Sequence, residues 1–381
     1  MNNTALHLYL SNFQHETRIQ KETKSLIESG LFDKIFIVAL WEDGLEEHEN
    51  LDDKREVWRV TLKTAAWPEN TFCKIIKYTE WMLKIFFRFK NESIKFVNCH
   101  NLSSLPIGIL FKVFSKSKVV YDTHELETEK AGWSKVRWIM GKMLERGLIY
   151  KTDMVFVVSD AICQWYREKY SLGQVYVVRN IPYSNKDDRD KPSDILKREY
   201  QIQNDELLFI YQGLINEARC IEILLDAFSR VDRKKHIVFM GYGSLEETVK
   251  EYEKKFSNIH FHPSVKSDVL LSYTKSADIG FHLLENSCLN HKLGVGNKIY
   301  EYILSGLPFI ESDFTEGAKI VDKYDCGWSV LNDAEAILEL VENISKEEVE
   351  EKKRNALNCR DNFSWQKEEQ KLLKAYRNLN N

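Results

Sequence analysis

No stretch of this 381-residue chain approaches the roughly 18–20 consecutive apolar residues that a bilayer-spanning helix needs. A spanning anchor is therefore not expected. Paired cysteines are missing too: Cys73, Cys99, Cys163, Cys220, Cys288, Cys326 and Cys359 stand singly, with no Cys-x-x-Cys. An odd, unpatterned set excludes a disulfide framework and a cysteine zinc site, and implies reduced thiols in a cytosolic protein. The opening residues, MNNTALHLYLS, lack a charged n-region and a continuous apolar core, so a first strand is expected there rather than a leader. Positive charge is not in excess. The net charge is −4, which argues against broad nucleic-acid binding. Short-period repeats, low-complexity tracts and a Ser-His-Asp or Cys-His constellation are all lacking.

What remains is a globular composition, 43% hydrophobic and 29% charged, in a chain long enough for two domains. The charge is uneven. Residues up to Pro182 sum to +3 and the remainder to −7, while residues 70–151 alone carry +8. Short β-branched runs alternate with helix-like segments: LHLYLS, KIFIVAL, IKFVNCH, KVVYDTH, DMVFVVS and QVYVVRN, then LLFIYQG, HIVFMGYG, IHFHPS, DIGFHLL, LPFIESD and GWSVL. Such alternation predicts parallel sheets flanked by helices, an α/β class. Between the two series lies SNKDDRDKPSD, a polar run from Ser184 to Asp194 that reads as a linker. The expected architecture is two doubly wound domains in tandem, with ligands at the carboxyl ends of the strands and in the cleft between domains.

The stretch GVGNKIYEYILSGLPFI, Gly294 to Ile310, has two readings. Gly294, Val295 and Gly296 could bring backbone close to a ligand, with a helix opening at Asn297 and Lys298 and pointing its free N–H groups at phosphate. Glu301, one turn in, would then accept hydrogen bonds from ribose hydroxyls. Alternatively, the glycines form a simple turn and Glu301 complements the helix dipole. In YQGLINEARCIEILLDAF, Gly213 follows a strand and Arg219 precedes a helix, where a guanidinium can clamp a diphosphate or merely face solvent. Gly241 and Gly243 suggest a dinucleotide turn, but Glu246 stands where a third glycine belongs. Asp188 and Asp190 form an Asp-x-Asp inside the linker, where a charge run is solvated, and no metal site is expected. His100 ends a strand on the same side as His124.

In their order these segments resemble the retaining, two-Rossmann-domain GT-B glycosyltransferases of family four (glycosyl transferases group 1), along nearly the whole chain. The resemblance implies metal-independent transfer from a nucleotide sugar, UDP- or GDP-linked, to a glycan or lipid-linked acceptor, with no further cofactor. It places Arg219 at the basic donor-phosphate position, with Gly213, Gly294, Val295, Gly296, Asn297 and Lys298 around the donor and Glu301 at the ribose. VKSDVLLSYTKSADIGFHLL is similar to the segment leading to the donor base and opens at Val265. In the first domain VVYDTHELETE puts His124 at the active-site histidine, so His124, Glu301 and Arg219 are the expected catalytic set. NFQHETRIQKETKSLIESG resembles the first loop and helix, giving Asn12, Arg18 and His100 as acceptor-side residues. NFSWQKEEQKLLKAYRNL matches a C-terminal helix that crosses back to the first domain. The implied domains are 1–183 with 363–381 for the acceptor and 184–362 for the donor.

Three departures stand out. Leu293 replaces the first of two family glutamates, Leu214 replaces a basic residue for which Lys298 can substitute, and Asn12 and Phe13 stand where relatives have glycines. Two segments, CKIIKYTEWMLKIFFRFK and AGWSKVRWIMGKMLERGLIYK, mix aromatics with Lys and Arg. They read either as sheet-packing helices or as contacts with an anionic membrane, and the second reading suits an enzyme of surface-polysaccharide synthesis at the inner membrane face. A nucleotide-sugar 2-epimerase of the same fold and a non-catalytic partner subunit are the alternatives.

Overall fold

The strand Thr4–Leu8 is buried at every position, as a strand covered by helices on both faces must be. In the computed structural model, which describes residues 3–183 and 191–380, it forms the centre of the first of two sheets. The strands of that sheet are β1 (Thr4–Leu8), β2 (Lys34–Leu40), β3 (His48–Asn50), β4 (Arg55–Val60), β5 (Ile94–Cys99), β6 (Lys118–Asp122), β7 (Met154–Val157) and β8 (Val175–Val177). Their order is β3-β4-β2-β1-β5-β6-β7-β8. Pairing is parallel except between β3 and β4. β3 is short, polar and largely exposed, which blunts an edge that would otherwise invite pairing. Strand order reverses between β1 and β5, which creates a crevice at their carboxyl ends.

The second sheet contains β9 (Leu207–Leu214), β10 (Lys235–Tyr242), β11 (Ile259–Pro263), β12 (Ile279–His282), β13 (Phe309–Ser312) and β14 (Gly327–Val330). All are parallel in the order β11-β10-β9-β12-β13-β14, so the reversal falls between β9 and β12. On one face the helix Ile221–Arg230 buries Ile221, Leu224, Leu225 and Phe228, a helical stripe, against Phe209 and Phe281. Phe209 and Phe281 stack with centroids 5.6 Å apart. On the other face the helix Asn297–Ser305 buries Ile299, Tyr302 and Ile303.

The chain divides into two compact units, Met1–Arg179 with Glu368–Asn381, and Asn180–Lys367. The C-terminal helix Trp365–Asn380 thus ends in the first unit, where Tyr376 is buried against Phe32 and Phe96. All twelve strand-like runs of the sequence are strands. β3 and β4 are additional, because charges at Arg55, Glu56 and Arg59 mask the strand pattern. All seven cysteines are free thiols. No helix among the described residues is long and apolar enough to cross a membrane. Asp188 and Asp190, with most of the expected linker, lie outside the described residues.

Candidate active site

Each unit carries a cluster of polar side chains at its strand-order reversal. In the first, His100 follows β5 and its backbone N–H donates to Leu8 C=O of β1 at 3.0 Å, which ties the two strand ends together. A buried chain of hydrogen bonds runs up to it. The Tyr376 hydroxyl donates to Asn98 Oδ1, so the Asn98 amide must donate from Nδ2 to His7 Nε2, at 3.0 Å. His7 therefore carries its proton on Nδ1 and donates it to His100 Nε2 at 2.8 Å. His100 in turn donates from Nδ1 to Asp122 Oδ2 at 2.9 Å. One tyrosine hydroxyl thus sets the tautomer of two histidines.

Asp122 ends β6 and is the hub. Arg18 grips it bidentately, Nε to Oδ2 at 3.0 Å and Nη2 to Oδ1 at 2.7 Å, and gives Nη1 to Val178 C=O at 2.7 Å. Burial opposes ionisation of Asp122, but the Arg18 guanidinium outweighs it and holds the carboxyl well below its usual range. His124 Nε2 lies 3.2 Å from Asp122 Oδ2 and 3.1 Å from His100 Nδ1. His124 keeps 19% of its side chain open, whereas Asp122 and His100 are almost fully covered. The Tyr9 ring stacks on it at 5.4 Å. Burial lowers the pKa of His124 and takes that of His100 down to about 4, so both are neutral imidazoles near pH 7. His100, Asp122 and His124 offer atoms within 4.8 Å of one another, close enough to share a cation. The positive charge that Asp122 needs is already supplied by Arg18.

The expected first-unit residues accordingly separate. His124 and His100 come together, and His124 presents the open edge. Arg18 is a buried cation holding Asp122 rather than an exposed contact, with 3% of its side chain accessible. Asn12 lies in the loop after β1 with its amide on Glu42 Oε2 at 2.6 Å. Beside it Phe13 adopts φ 59°, the left-handed conformation that a glycine enters without strain. Asp122 was missed, although its place two residues before His124 at a strand end was the available signal.

In the second unit Glu301, on the helix Asn297–Ser305, accepts from Gln212 Nε2 at 2.6 Å. Gln212 Oε1 accepts from Thr274 Oγ1 at 2.8 Å, which fixes the amide and leaves Glu301 aimed by β9. Lys298 sits one turn earlier, its Nζ 3.0 Å from the Tyr211 hydroxyl and 4.1 Å from that ring's centre. Desolvation, with Arg219 nearby, lowers its pKa to about 7. Arg219 forms no ion pair among the described residues, and its neighbours Ala218 and Cys220 both hold left-handed φ values, 63° and 56°. Two basic side chains therefore converge at the end of β9, with the Glu301 and Glu311 carboxylates within electrostatic reach of Lys298.

The helix start is built for close approach. Gly296 is its N-cap with no side-chain cap, leaving the first N–H groups free for a ligand. A Cβ on Gly296 would meet His282 Nε2 at 2.2 Å. His282 is held from behind: its Nδ1 lies 2.8 Å from Glu311 Oε2, and Glu311 accepts from Thr315 Oγ1 at 2.7 Å. His282 and Glu311 are register partners on β12 and β13. This pair supports the glycine loop and escaped the sequence reading, because pairing of distant strand ends decides it. Gly294 and Val295 are half-buried in the same loop and Asn297 is exposed. Val265, after β11, is half-buried against the same core as Ile299 and Tyr302. Gly213 lies directly under Lys298.

Residues 206–347, which run from the start of β9 past β14, match the family model described as glycosyl transferases group 1. No curated protein matches the chain by sequence. Solved structures share its fold. Sucrose-phosphate synthase from Thermosynechococcus elongatus superposes with a TM-score of 0.82 at 14% identity over 99% of each chain. HepE from Anabaena, in complex with UDP and glucose, gives 0.74 at 13% identity over 99% of this chain and 100% of that one. WaaG, a glycosyltransferase involved in lipopolysaccharide biosynthesis, gives 0.71 at 14% over 99% of both. The chain therefore has the GT-B fold, two Rossmann-like units, and the stretch similar to the group 1 glycosyltransferase model falls within the second.

Proposed function

We propose that this protein transfers a hexose from a nucleoside-diphosphate sugar, UDP- or GDP-linked, to a glycan or lipid-linked acceptor with retention at the anomeric carbon. The observation that carries the reading is the convergence of Arg219 and Lys298 beside the open helix start at Gly296 and the aimed carboxylate of Glu301. Charge builds on the departing diphosphate as the glycosidic bond breaks, and preorganised cations and N–H groups stabilise it there. Each charge-assisted hydrogen bond is worth about 1.5–3 kcal/mol. The two cations take the role a divalent ion has in metal-dependent transferases. Glu301 accepts from the ribose hydroxyls. On the first unit His124, neutral and held by Asp122, is the group assigned to the sugar or the reacting centre. The UDP and glucose bound to HepE favour a uridine donor. The free cysteines suit a cytoplasmic enzyme, and surface-polysaccharide synthesis suits its membrane-side expectations.

Thermal-shift and calorimetric screening of UDP, GDP and their sugars tests the reading. A true donor nucleotide at one hundred times its dissociation constant stabilises by about 2.7 kcal/mol. Arg219→Ala and Lys298→Ala each should lower that affinity about ten-fold or more with the fold intact. Wild-type affinity in both variants would remove the donor-site assignment. Turnover of the sugar nucleotide without any acceptor, giving an epimer, would replace transfer by epimerisation.

A further inference from the structure

The helix Lys135–Leu148 inverts the usual arrangement of a surface helix. Its buried residues are Gly141 and Glu145, while Val136 (68% accessible), Ile139, Met140 and Met143 (70%) face outward. A polar pin holds it to the body. The Glu145 carboxylate accepts from the hydroxyls of Tyr166 at 2.7 Å, Tyr170 at 2.9 Å, Thr128 at 3.1 Å and Tyr121 at 3.3 Å. With its single carboxylate buried, the exposed charges on the helix are all positive, Lys135, Arg137 and Arg146, while half-buried Lys142 pairs with Glu129 at 2.7 Å. Arg137 lies over Trp133 at 4.5 Å and Lys142 over Trp138 at 3.8 Å, so aromatic faces carry cations at the rim. Neighbouring helices also expose apolar residues. Leu105–Ser115 packs beside both Lys135–Leu148 and Thr71–Phe89. Phe86 joins Thr71–Phe89 to it, with Phe114 at 5.3 Å, and Phe87 and Phe114 remain 60% and 69% accessible.

Exposed apolar side chains gathered on three adjoining helices mark an interaction site. Its charge selects the partner. A protein interface depletes lysine at its centre, whereas an amphipathic surface of Trp, Ile and Met ringed by Lys and Arg suits an anionic interface, the aromatics at headgroup depth and the cations on phosphates. We propose that these three helices dock the first unit onto an anionic phospholipid bilayer. This deepens the transfer reading by locating a lipid-linked acceptor, but it rests on surface residues that play no part in nucleotide binding.

The experiment is vesicle flotation with phosphatidylcholine alone or mixed with phosphatidylglycerol, using wild type, the triple variant Ile139→Ser, Met140→Ser, Met143→Ser, and the double variant Lys135→Glu, Arg146→Glu. All five positions are exposed, so melting curves should be unchanged. Wild type is expected to float with the mixed vesicles at low salt and to shift its tryptophan emission to the blue. Binding should weaken towards 1 M salt, where the Debye length is about 3 Å. Each variant should lose about ten-fold or more in vesicle affinity, since each cation near the surface contributes on the order of five-fold. No flotation of wild type, or flotation of both variants like wild type, overturns the proposal. So does a concentration-dependent dimer that the triple-serine variant abolishes in the absence of vesicle binding, which would make the face a contact between copies. UDP calorimetry on the same proteins separates the two readings: flotation without nucleotide binding leaves docking standing and removes the transferase.

Discussion

Gly213 lies so close to Lys298 that a Cβ built on it would sit 2.7 Å from Lys298 Cε. Its φ of 111° is one that side-chain-bearing residues rarely adopt. The absent side chain at the end of β9 thus makes room for the ammonium on the next element of the site. Gly213→Ala is expected to cost about 1–3 kcal/mol of stability through backbone strain and to lower UDP affinity by displacing Lys298. Urea denaturation and calorimetry on one preparation check it. Lost stability with unchanged affinity would confine Gly213 to the turn.

Lys298 predicts a pH dependence. Its folded pKa of about 7 lies below that of an unfolded lysine, about 10.4. Between those values the unfolded chain holds the extra proton, so this residue makes stability rise with pH across that window. Lys298→Met should flatten the rise and should stabilise the protein more at pH 6 than at pH 9. Diphosphate binding demands the ammonium form. Above pH 7, UDP should bind with proton uptake, and log affinity should fall with a slope approaching −1. Calorimetry in buffers of different ionisation enthalpy measures the proton directly.

Glu301 and Gln212 make a ligand-specific prediction. Since the contact proposed for Glu301 is ribose, Glu301→Gln should weaken UDP about ten-fold or more while leaving inorganic pyrophosphate nearly unchanged. Gln212→Leu removes the amide that aims the carboxylate and should reproduce part of the loss. Equal losses for UDP and pyrophosphate would move Glu301 to the phosphates or to helix stability.

The histidine chain predicts acid sensitivity. His7 and His100 are held below the ordinary histidine range by burial. The unfolded chain takes up protons as pH falls from about 6.5, and the native state does not. Stability should therefore drop between about pH 6.5 and 4, by about 3 kcal/mol from His100 alone. Denaturation midpoints at pH 7 and 4.5 measure it, and His100→Gln should shrink the difference.

Asp122→Asn tests the hub. It removes one of the two carboxylates that hold the buried Arg18, leaving only Glu22 at 2.9 Å, and breaking a buried pair costs about 3–5 kcal/mol. Thermal unfolding of the triple variant Asp122→Asn, Arg18→Met, Glu22→Gln should recover part of that loss, because none of the three buried charges remains. No recovery would show that Asp122 acts through the histidines and not through Arg18.

Much of the fold was legible because burial on both faces of a parallel sheet writes continuous apolar runs such as KIFIVAL and LLFIYQG into the sequence. β4 was not legible, since an outer strand with Arg55, Glu56 and Arg59 has no such run. Gly296, Lys298 and Glu301 were legible as a set because they share one turn of chain, where spacing alone dictates proximity. The basic aromatic segments were visible as composition. Which side of Lys135–Leu148 faces outward was not, because its apolar and charged residues are mixed around the helix with no sequence-defined inner face, and the buried hydroxyls around Glu145 decide it.

By itself the sequence determined that two α/β sheets form, where the helix after Gly296 begins, and that a histidine follows a strand end at His124. Tertiary structure alone decided that Asp122, gripped by Arg18 from another element, holds His124; that Tyr376, at the far end of the chain, sets the tautomers of His7 and His100; and that Glu311 braces His282 beneath Gly296. The physical reason is common to all three. Periodicity and propensity act over a few residues, whereas these contacts join buried polar groups far apart in sequence, each requiring a partner that only the packed chain brings within hydrogen-bonding distance.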